Sequence, residues 1–196
     1  MKRFNVLVVL ILGLSGCATF EGGTEGVGSA KSPDRLTVWD MEGRIGVHAA
    51  KDSWQADLAW SHDLKQDRLR LSGPLSQGLV SIVLQRDLIY INEGDGIDHL
   101  ARDPEAALKA RLGFAVPLKS LRCWILGIPN AEEPWQPLAS GPAGAFTQQG
   151  WRIIPSSLVT VGGYALPGRL LVEGGGVRLK IIADQWNPSS PTSGKS

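Results

Sequence analysis

Three histidines, two cysteines and nineteen acidic residues are the side chains of this 196-residue chain that could catalyse a reaction or hold a metal. His48, His62 and His99 lack metal-ligand spacing with cysteines or carboxylates, and we predict that they are solvated polar positions. Asp57 and Asp67 fall on or near outward strand faces, where we expect ordinary surface charge. The sequence contains no H-E-x-x-H or G-x-S-x-G motif and no phosphate-binding G-x-x-x-x-G-K-[ST] loop. It therefore predicts a protein that is not an enzyme and that uses neither a metal nor a cofactor.

The residue with the clearest chemical role is Cys17. The basic pair Lys2-Arg3 precedes an apolar run at residues 6–12, which is too short to span a membrane and has the shape of a secretory signal. The following Leu14-Ser15-Gly16-Cys17 resembles the lipobox of bacterial lipoproteins, whose cysteine is acylated and becomes the first residue. We therefore predict a lipoprotein signal peptide at residues 1–16 and a lipid anchor on Cys17.

The residue after the predicted anchor indicates where the protein is located, and the net charge indicates whether it attracts nucleic acid. Ala18 stands where an aspartate would retain a Gram-negative lipoprotein in the inner membrane, so we expect the outer membrane, with the body facing the periplasm. Cleavage removes the positive charges of Lys2 and Arg3, and the net charge changes from +1 to −1. No large field is left to attract nucleic acid.

Once Cys17 is acylated, Cys123 has no intrachain disulfide partner, and its apolar helical surroundings predict a buried thiol.

A long hairpin connection contains one apolar side chain, Leu75, among small and polar residues. Alternating strands flank it at residues 68–71 and 80–84, as period-two patterning indicates. An exposed leucine forgoes roughly 1.5–3 kcal/mol of burial free energy. Two interpretations follow: Leu75 folds back under the rim of the sheet, or it enters a membrane. The hairpin alone favours the first.

The chain divides into a tether, one domain and a tail. Residues 17–36 comprise the lipidated cysteine and a flexible segment rich in glycine, serine and threonine. Residues 37–186 are enough for a single domain with a sizeable core. Residues 187–196, with their prolines and serines, are predicted to be a disordered tail.

Within the domain, nine to eleven alternating segments predict an antiparallel meander. Two helices interrupt it: one has Asp103-Pro104 at its start and Gly113 at its end, and the other extends from about residue 117 to 127. So many strands exceed what an open twisted sheet holds without curling. We therefore predict a mainly β fold with α elements, a closed or half-closed barrel with a helical cover. The bulky dry faces of the strands could fill a core or line a cavity, and periodicity alone favours a filled core.

These elements carry a family resemblance: the mature chain resembles the LolB family over nearly its whole length. The most specific part is the second helix and its exit, PLKSLRCWILGIP at residues 117–129; the other matches are Gly43-Arg44, Gly73-Pro74-Leu75, Gln149-Gly150-Trp151, Leu166-Pro167 and Asp184-Gln185-Trp186. The resemblance implies a half-open antiparallel β-barrel of about 9–11 strands, covered by helices and enclosing a hydrophobic cavity. It also implies that Gly73, Pro74 and Leu75 form a membrane-insertion loop. The family commonly has Asn before the Pro-Leu pair and Gly after it, where this chain has Gly73 and Ser76.

The function that the resemblance implies is that of an outer-membrane-anchored receptor, which accepts acylated lipoproteins from the periplasmic carrier LolA and inserts them into the membrane. Exposing an acyl chain to water costs about 0.8 kcal/mol per methylene, so an apolar wall must replace water during transfer. The candidates for that wall are Trp39, Met41, Ile45, Val47, Leu58, Trp60, Leu69, Leu71, Val80, Ile82 and Trp124.

The expected partners are a LolA-like carrier, acylated cargo and outer-membrane phospholipid, and the receptor is expected to be a monomer. Without a nucleotide-binding loop, transfer would follow a gradient of affinity from carrier to receptor to bilayer. Two other functions remain open on the residues themselves. One is a lipid-binding or structural periplasmic lipoprotein that holds a ligand without passing cargo on, and the other is a scaffold that binds only proteins.

Overall fold

The structure, a computed structural model, describes residues 30–49, 52–73 and 78–189. The predicted signal peptide, the Cys17 anchor, most of the tether, and Pro74 and Leu75 lie outside these ranges, as does the chain from residue 190 onward.

Eleven strands of the described residues form one antiparallel sheet in the order β6-β5-β4-β3-β2-β1-β11-β10-β9-β8-β7. Their bounds are β1 Val38–Ala49, β2 Ser53–His62, β3 Asp67–Ser72, β4 Leu79–Gln85, β5 Leu88–Asn92, β6 Asp98–Ala101, β7 Trp135–Pro137, β8 Phe146–Gln148, β9 Trp151–Val161, β10 Tyr164–Gly174 and β11 Val177–Ser189. Strands β6 and β7 are the two edges, so the sheet does not close on itself. The predicted half-open antiparallel architecture is confirmed.

Two α-helices, α1 Pro104–Leu112 and α2 Leu118–Trp124, follow β6, and a short 3-10 helix at Pro33–Arg35 precedes β1. The start of α1 is as predicted: the Asp103 side chain accepts a hydrogen bond from the Ala106 N–H at 3.0 Å, and Pro104 takes the first turn. Gly113, at φ +80°, ends the helix in a left-handed conformation that suits glycine. Among the described residues, no helix is long and apolar enough to cross a membrane.

The core lies on the concave face of the sheet, beneath the helices. Buried apolar side chains from both halves of the sheet belong to one continuous cluster, which Leu108 of α1 and Leu118, Leu121 and Trp124 of α2 join. The alternation that predicted the strands also predicts this face: in β3, Leu69 and Leu71 are buried. The helices therefore cover the apolar side of a curved sheet, as their position in the sequence indicates.

Three features of the sheet differ from the sequence predictions. Strand β7 was not predicted, because three residues are too few to show a period of two. Separate alternating segments at residues 151–155 and 158–164 predict two strands, but residues 151–161 form one strand, which bends at Ser157 (φ +53°) against Gly168, where a Cβ would lie 2.6 Å from the Ser157 oxygen. Strand β11 continues to Ser189, three residues into the predicted tail, because it stays paired with β1 as far as Val38.

The structured part of the chain also begins before the predicted domain boundary at residue 37. The Lys31 N–H donates to the Gly163 carbonyl at 2.7 Å, and the Lys31 Nζ lies 5.2 Å from the centre of the Tyr164 ring. The last residues of the predicted tether are therefore bound to the turn between β9 and β10.

At the β-bulge between Glu42 and Gly43, the structure requires a glycine at position 43. A Cβ on Gly43 would lie 2.0 Å from the backbone oxygen of Ile182, so we expect Gly43→Ala to lower the free energy of unfolding by about 1–3 kcal/mol through overpacking. Gly46→Ala is the matched control on the same strand, since its Cβ would meet only the Lys180 oxygen at 3.9 Å. Urea unfolding of both variants checks this, and equal stabilities would contradict it.

Candidate functional site

Strands β3 and β4 carry the predicted insertion loop. Ser72 and Leu79 form the last pair of their ladder, and residues 73–78 connect them. Gly78 has φ +68°, a left-handed conformation that favours glycine. Pro74 and Leu75 lie outside the described residues, so the structure gives the point where the loop leaves the sheet, and the insertion role stays a prediction.

The turn between β5 and β6 lies directly beside the base of this loop. A Cβ on Gly94 would lie 3.2 Å from the Leu79 oxygen. Asx-type hydrogen bonds fix the turn: Asn92 Oδ1 accepts the Gly94 N–H at 2.9 Å, and Asp95 Oδ1 accepts the Ile97 N–H at 3.0 Å. Ile97 is 57% exposed, so this end of the sheet presents an apolar side chain that is not among the predicted site residues. Its only sequence signal was an isoleucine directly after the Glu93–Gly96 turn.

The structure brings the eleven candidate wall residues together in a single cluster. Ten are at most 9% exposed, and Val80 is partly buried against them. Trp39, Met41, Trp60 and Trp124 are no more than 1% exposed, so they are packed against neighbouring side chains. In this structure the apolar wall is thus a filled core, and its use for acyl chains is taken up below as a proposal.

Two depressions on the outer face of the sheet have a different lining. One, of about 530 Å³, lies at the base of the loop and is lined by residues that include Glu42, Asp57, Arg70 and Asp184. The other, of about 450 Å³, includes Arg44, His48 and Lys180. Each contains only one of the eleven candidates, Leu58 and Ile45 respectively. Charged linings of this kind do not suit acyl chains.

The prediction that Asp67 is surface charge is wrong. Asp67 is 2% exposed, and its carboxylate accepts hydrogen bonds from Trp60 Nε1 at 3.1 Å, His62 Nδ1 at 2.9 Å and Arg122 Nη1 at 3.2 Å. It occupies the inward register of Leu69 and Leu71 at the start of β3, where these three donors compensate its burial. His62 is likewise part-buried rather than solvated, because its ring lies in this cluster.

The other polar predictions have mixed outcomes. Asp57 is exposed, as predicted, and so is His48, whose Nδ1 lies 3.2 Å from Ser53 Oγ. His99 is partly buried instead of solvated, since it faces inward on the edge strand β6. Within the described ranges, no group of three His, Cys, Asp or Glu side chains is arranged to hold a metal.

Polar contacts attach α2 to both halves of the sheet. On one side, besides Arg122, Lys119 pairs with the exposed Asp87 in the turn after β4, which lowers the pKa of that carboxyl through a hydrogen bond and charge attraction. On the other side, Gln148 of β8 accepts the Trp124 indole N–H at 2.7 Å. Helix α2 is therefore a bridge across the concave face.

Cys123 lies on this helix and is partly rather than fully buried. Its Sγ lies 3.9 Å from the Lys119 carbonyl oxygen. Burial raises the pKa of the Cys123 thiol, with Arg122 opposing the shift, so less thiolate forms at neutral pH. This agrees with a structural rather than a catalytic thiol.

The sequence is similar to proteins that are named as lipoproteins of the outer membrane. Residues 37–186 match the family model described as Outer membrane lipoprotein LolB. Proteins named Outer-membrane lipoprotein LolB are 28% identical in Pseudomonas fluorescens, over 96% of this chain and 97% of that protein, and 29% identical in Ectopseudomonas mendocina, over 96% and 98%. The Nitrosococcus oceani protein of that name is 24% identical over 94% of this chain and 96% of its own length.

Proposed function

The chain belongs to the LolB family of outer-membrane lipoproteins, and from that membership we propose that it is the outer-membrane receptor for acylated lipoproteins. It accepts cargo from a LolA-like periplasmic carrier and inserts the cargo into the outer membrane without nucleotide hydrolysis. Acylated Cys17 anchors it to the periplasmic face of that membrane.

One observation carries this proposal: a continuous apolar cluster covers the concave face of an unclosed sheet, under a helix attached to both halves of that sheet. An acyl chain of sixteen carbons would cost on the order of 12 kcal/mol to expose to water. The concave wall can replace water around it, provided that α2 and the wall separate to admit it. The open edges at β6 and β7 leave the sheet free to widen.

Release uses the other end of the site. Leu75 enters the bilayer, and Ile97 in the neighbouring turn adds a second apolar contact beside the base of the loop. Two adjacent apolar side chains at one end of the sheet would hold that end against lipid, so that cargo leaves the wall directly into hydrocarbon. Transfer then needs only that the bilayer binds the acyl chains more tightly than the receptor does.

A transfer assay tests this function. The carrier–cargo complex is mixed with liposomes that contain the full-length protein, and cargo is followed by sedimentation and by protease protection. We expect cargo to leave the carrier and become membrane-incorporated without ATP. Cargo that stays on the carrier would rule out a receptor, cargo that moves to the protein but never enters the bilayer would indicate a storage lipoprotein, and a protein that takes up no acylated molecule would be a scaffold.

A further inference from the structure

The buried core of the described chain is apolar except at two polar clusters, which lie on opposite sides of α2. Ser120, Asn130 and Gln148 form the first, in which Gln148 Nε2 donates to the Asn130 carbonyl at 2.8 Å and Asn130 Nδ2 donates to Ser120 Oγ at 3.3 Å. Its side chains satisfy one another and hold the helix. Asp67, with Trp60, His62 and Arg122, forms the second.

Trp39 lies beside the second cluster and has an unsatisfied donor. Its side chain is fully buried, with ring centres 5.5 Å from Trp60, 5.6 Å from His62 and 5.5 Å from Trp186. Its indole Nε1 has no hydrogen-bond acceptor among the described residues. An indole N–H can only donate, and a buried donor without an acceptor is disfavoured, so it calls for a partner. By contrast, the Trp186 indole donates to the Pro167 carbonyl at 2.9 Å.

We propose that Trp39 and the adjoining Asp67 cluster form a subsite for the ester and amide groups that join acyl chains to their cargo. The inference rests on the proposed receptor function and specifies which part of the cargo this end of the wall binds. An ester or amide carbonyl accepts the Trp39 N–H, and the Arg122 guanidinium supplies further donors. Asp67 accepts an amide N–H of the cargo.

The position of the cluster fits this assignment. Arg122 is its outermost member, with a side chain 35% exposed, whereas the side chain of Asp67 is 3% exposed and its neighbours Trp60, Leu69 and Leu71 belong to the apolar wall. A ligand site that is mostly apolar with a few convergent polar groups orients an amphiphile, because its tails follow the wall and its polar linkage stays with the polar groups. Movement of α2 breaks the contact between Arg122 and Asp67 Oδ2, which frees the Arg122 donors for a ligand carbonyl and Oδ2 for an amide N–H, while Trp60 and His62 stay bonded to Oδ1.

A pair of matched ligands tests the subsite. One is a synthetic triacylated peptide with natural ester and amide linkages, and the other has the same tails on three ether linkages, which lack those carbonyls and stay uncharged. Both compete with a fluorescent acyl probe for the full-length protein in a nonionic detergent. We expect the protein to bind the carbonyl-containing peptide about fivefold more tightly, and Trp39→Phe to lose this preference.

Trp186→Phe is the matched control, because it removes an indole of the same core whose N–H is already bonded within the protein; it should keep the fivefold preference. Equal binding of both peptides by the unaltered protein would overturn the subsite and leave acyl binding intact. Binding of neither peptide would overturn the receptor function as well. Since the comparison of the two peptides needs no variant, it decides the question even if Trp39→Phe does not fold.

Discussion

Leu75→Glu should leave acceptance of cargo from the carrier intact and reduce its incorporation into liposomes by at least about tenfold. A carboxylate inside a bilayer costs about 2.5–3.5 kcal/mol near the centre, and the burial free energy of the leucine is lost as well; since 1.4 kcal/mol is tenfold in an equilibrium, the loss should be large. The measurement separates the two steps by counting cargo on the protein and cargo protected in the membrane.

Leu64→Glu is the matched control for this prediction. Leu64 is 72% exposed in the connection between β2 and β3, at the opposite end of β3 from residues 73–78. It should therefore tolerate glutamate with unchanged incorporation. The membrane role of Leu75 is contradicted if both variants release cargo equally well, or if Leu75→Glu loses acceptance instead.

Asp67→Ala should lower the free energy of unfolding by about 3–5 kcal/mol, because it removes the acceptor for Trp60, His62 and the Arg122 guanidinium and leaves the Trp60 and His62 donors unpaired in the core. Urea denaturation of the full-length protein measures the change.

The control for this second prediction is Asp57→Ala. Asp57 is exposed on the outer face, and its replacement should stay within about 0.5 kcal/mol. Arg122→Met should fall between the two, since Asp67 then keeps its bonds to Trp60 and His62. Indistinguishable stabilities of the two aspartate variants would contradict the buried cluster.

These two aspartates also illustrate how far the sequence predicts the structure. Local patterns were sufficient for most of the strands, for the capped start of α1 at Asp103 and for the apolar membership of the wall, because each depends on neighbours in the chain. The environment of Asp67 depends on Arg122, fifty-five residues away, and no local pattern contains that contact. In hindsight, its even spacing from Leu69 and Leu71 already placed it on the dry face.

The apolar wall shows a second limit of prediction from sequence. Period-two alternation identifies which side chains face inward, but it carries no information on how closely opposite walls and the helices approach. The sequence pattern would be the same whether Trp39 and Trp124 lined an open space or filled it. The structure has them fully buried, so the proposed admission of acyl chains requires movement, which sequence patterning does not describe.

The attachment of Lys31 to the turn between β9 and β10 has a mechanical consequence. This turn lies at the opposite end of the sheet from Ser72 and Leu79, and strand rise and strand spacing together put roughly 25–30 Å between them. Lys31 is fourteen positions after Cys17 in the chain, a length that spans at most about 50 Å. If Cys17 is the lipid anchor that the sequence predicts, this reach exceeds the separation, so the end of the sheet at Ser72 and Leu79 can face the same leaflet while Lys31 stays attached to its turn. A connection of half that length would span at most about 25 Å, too short for this orientation.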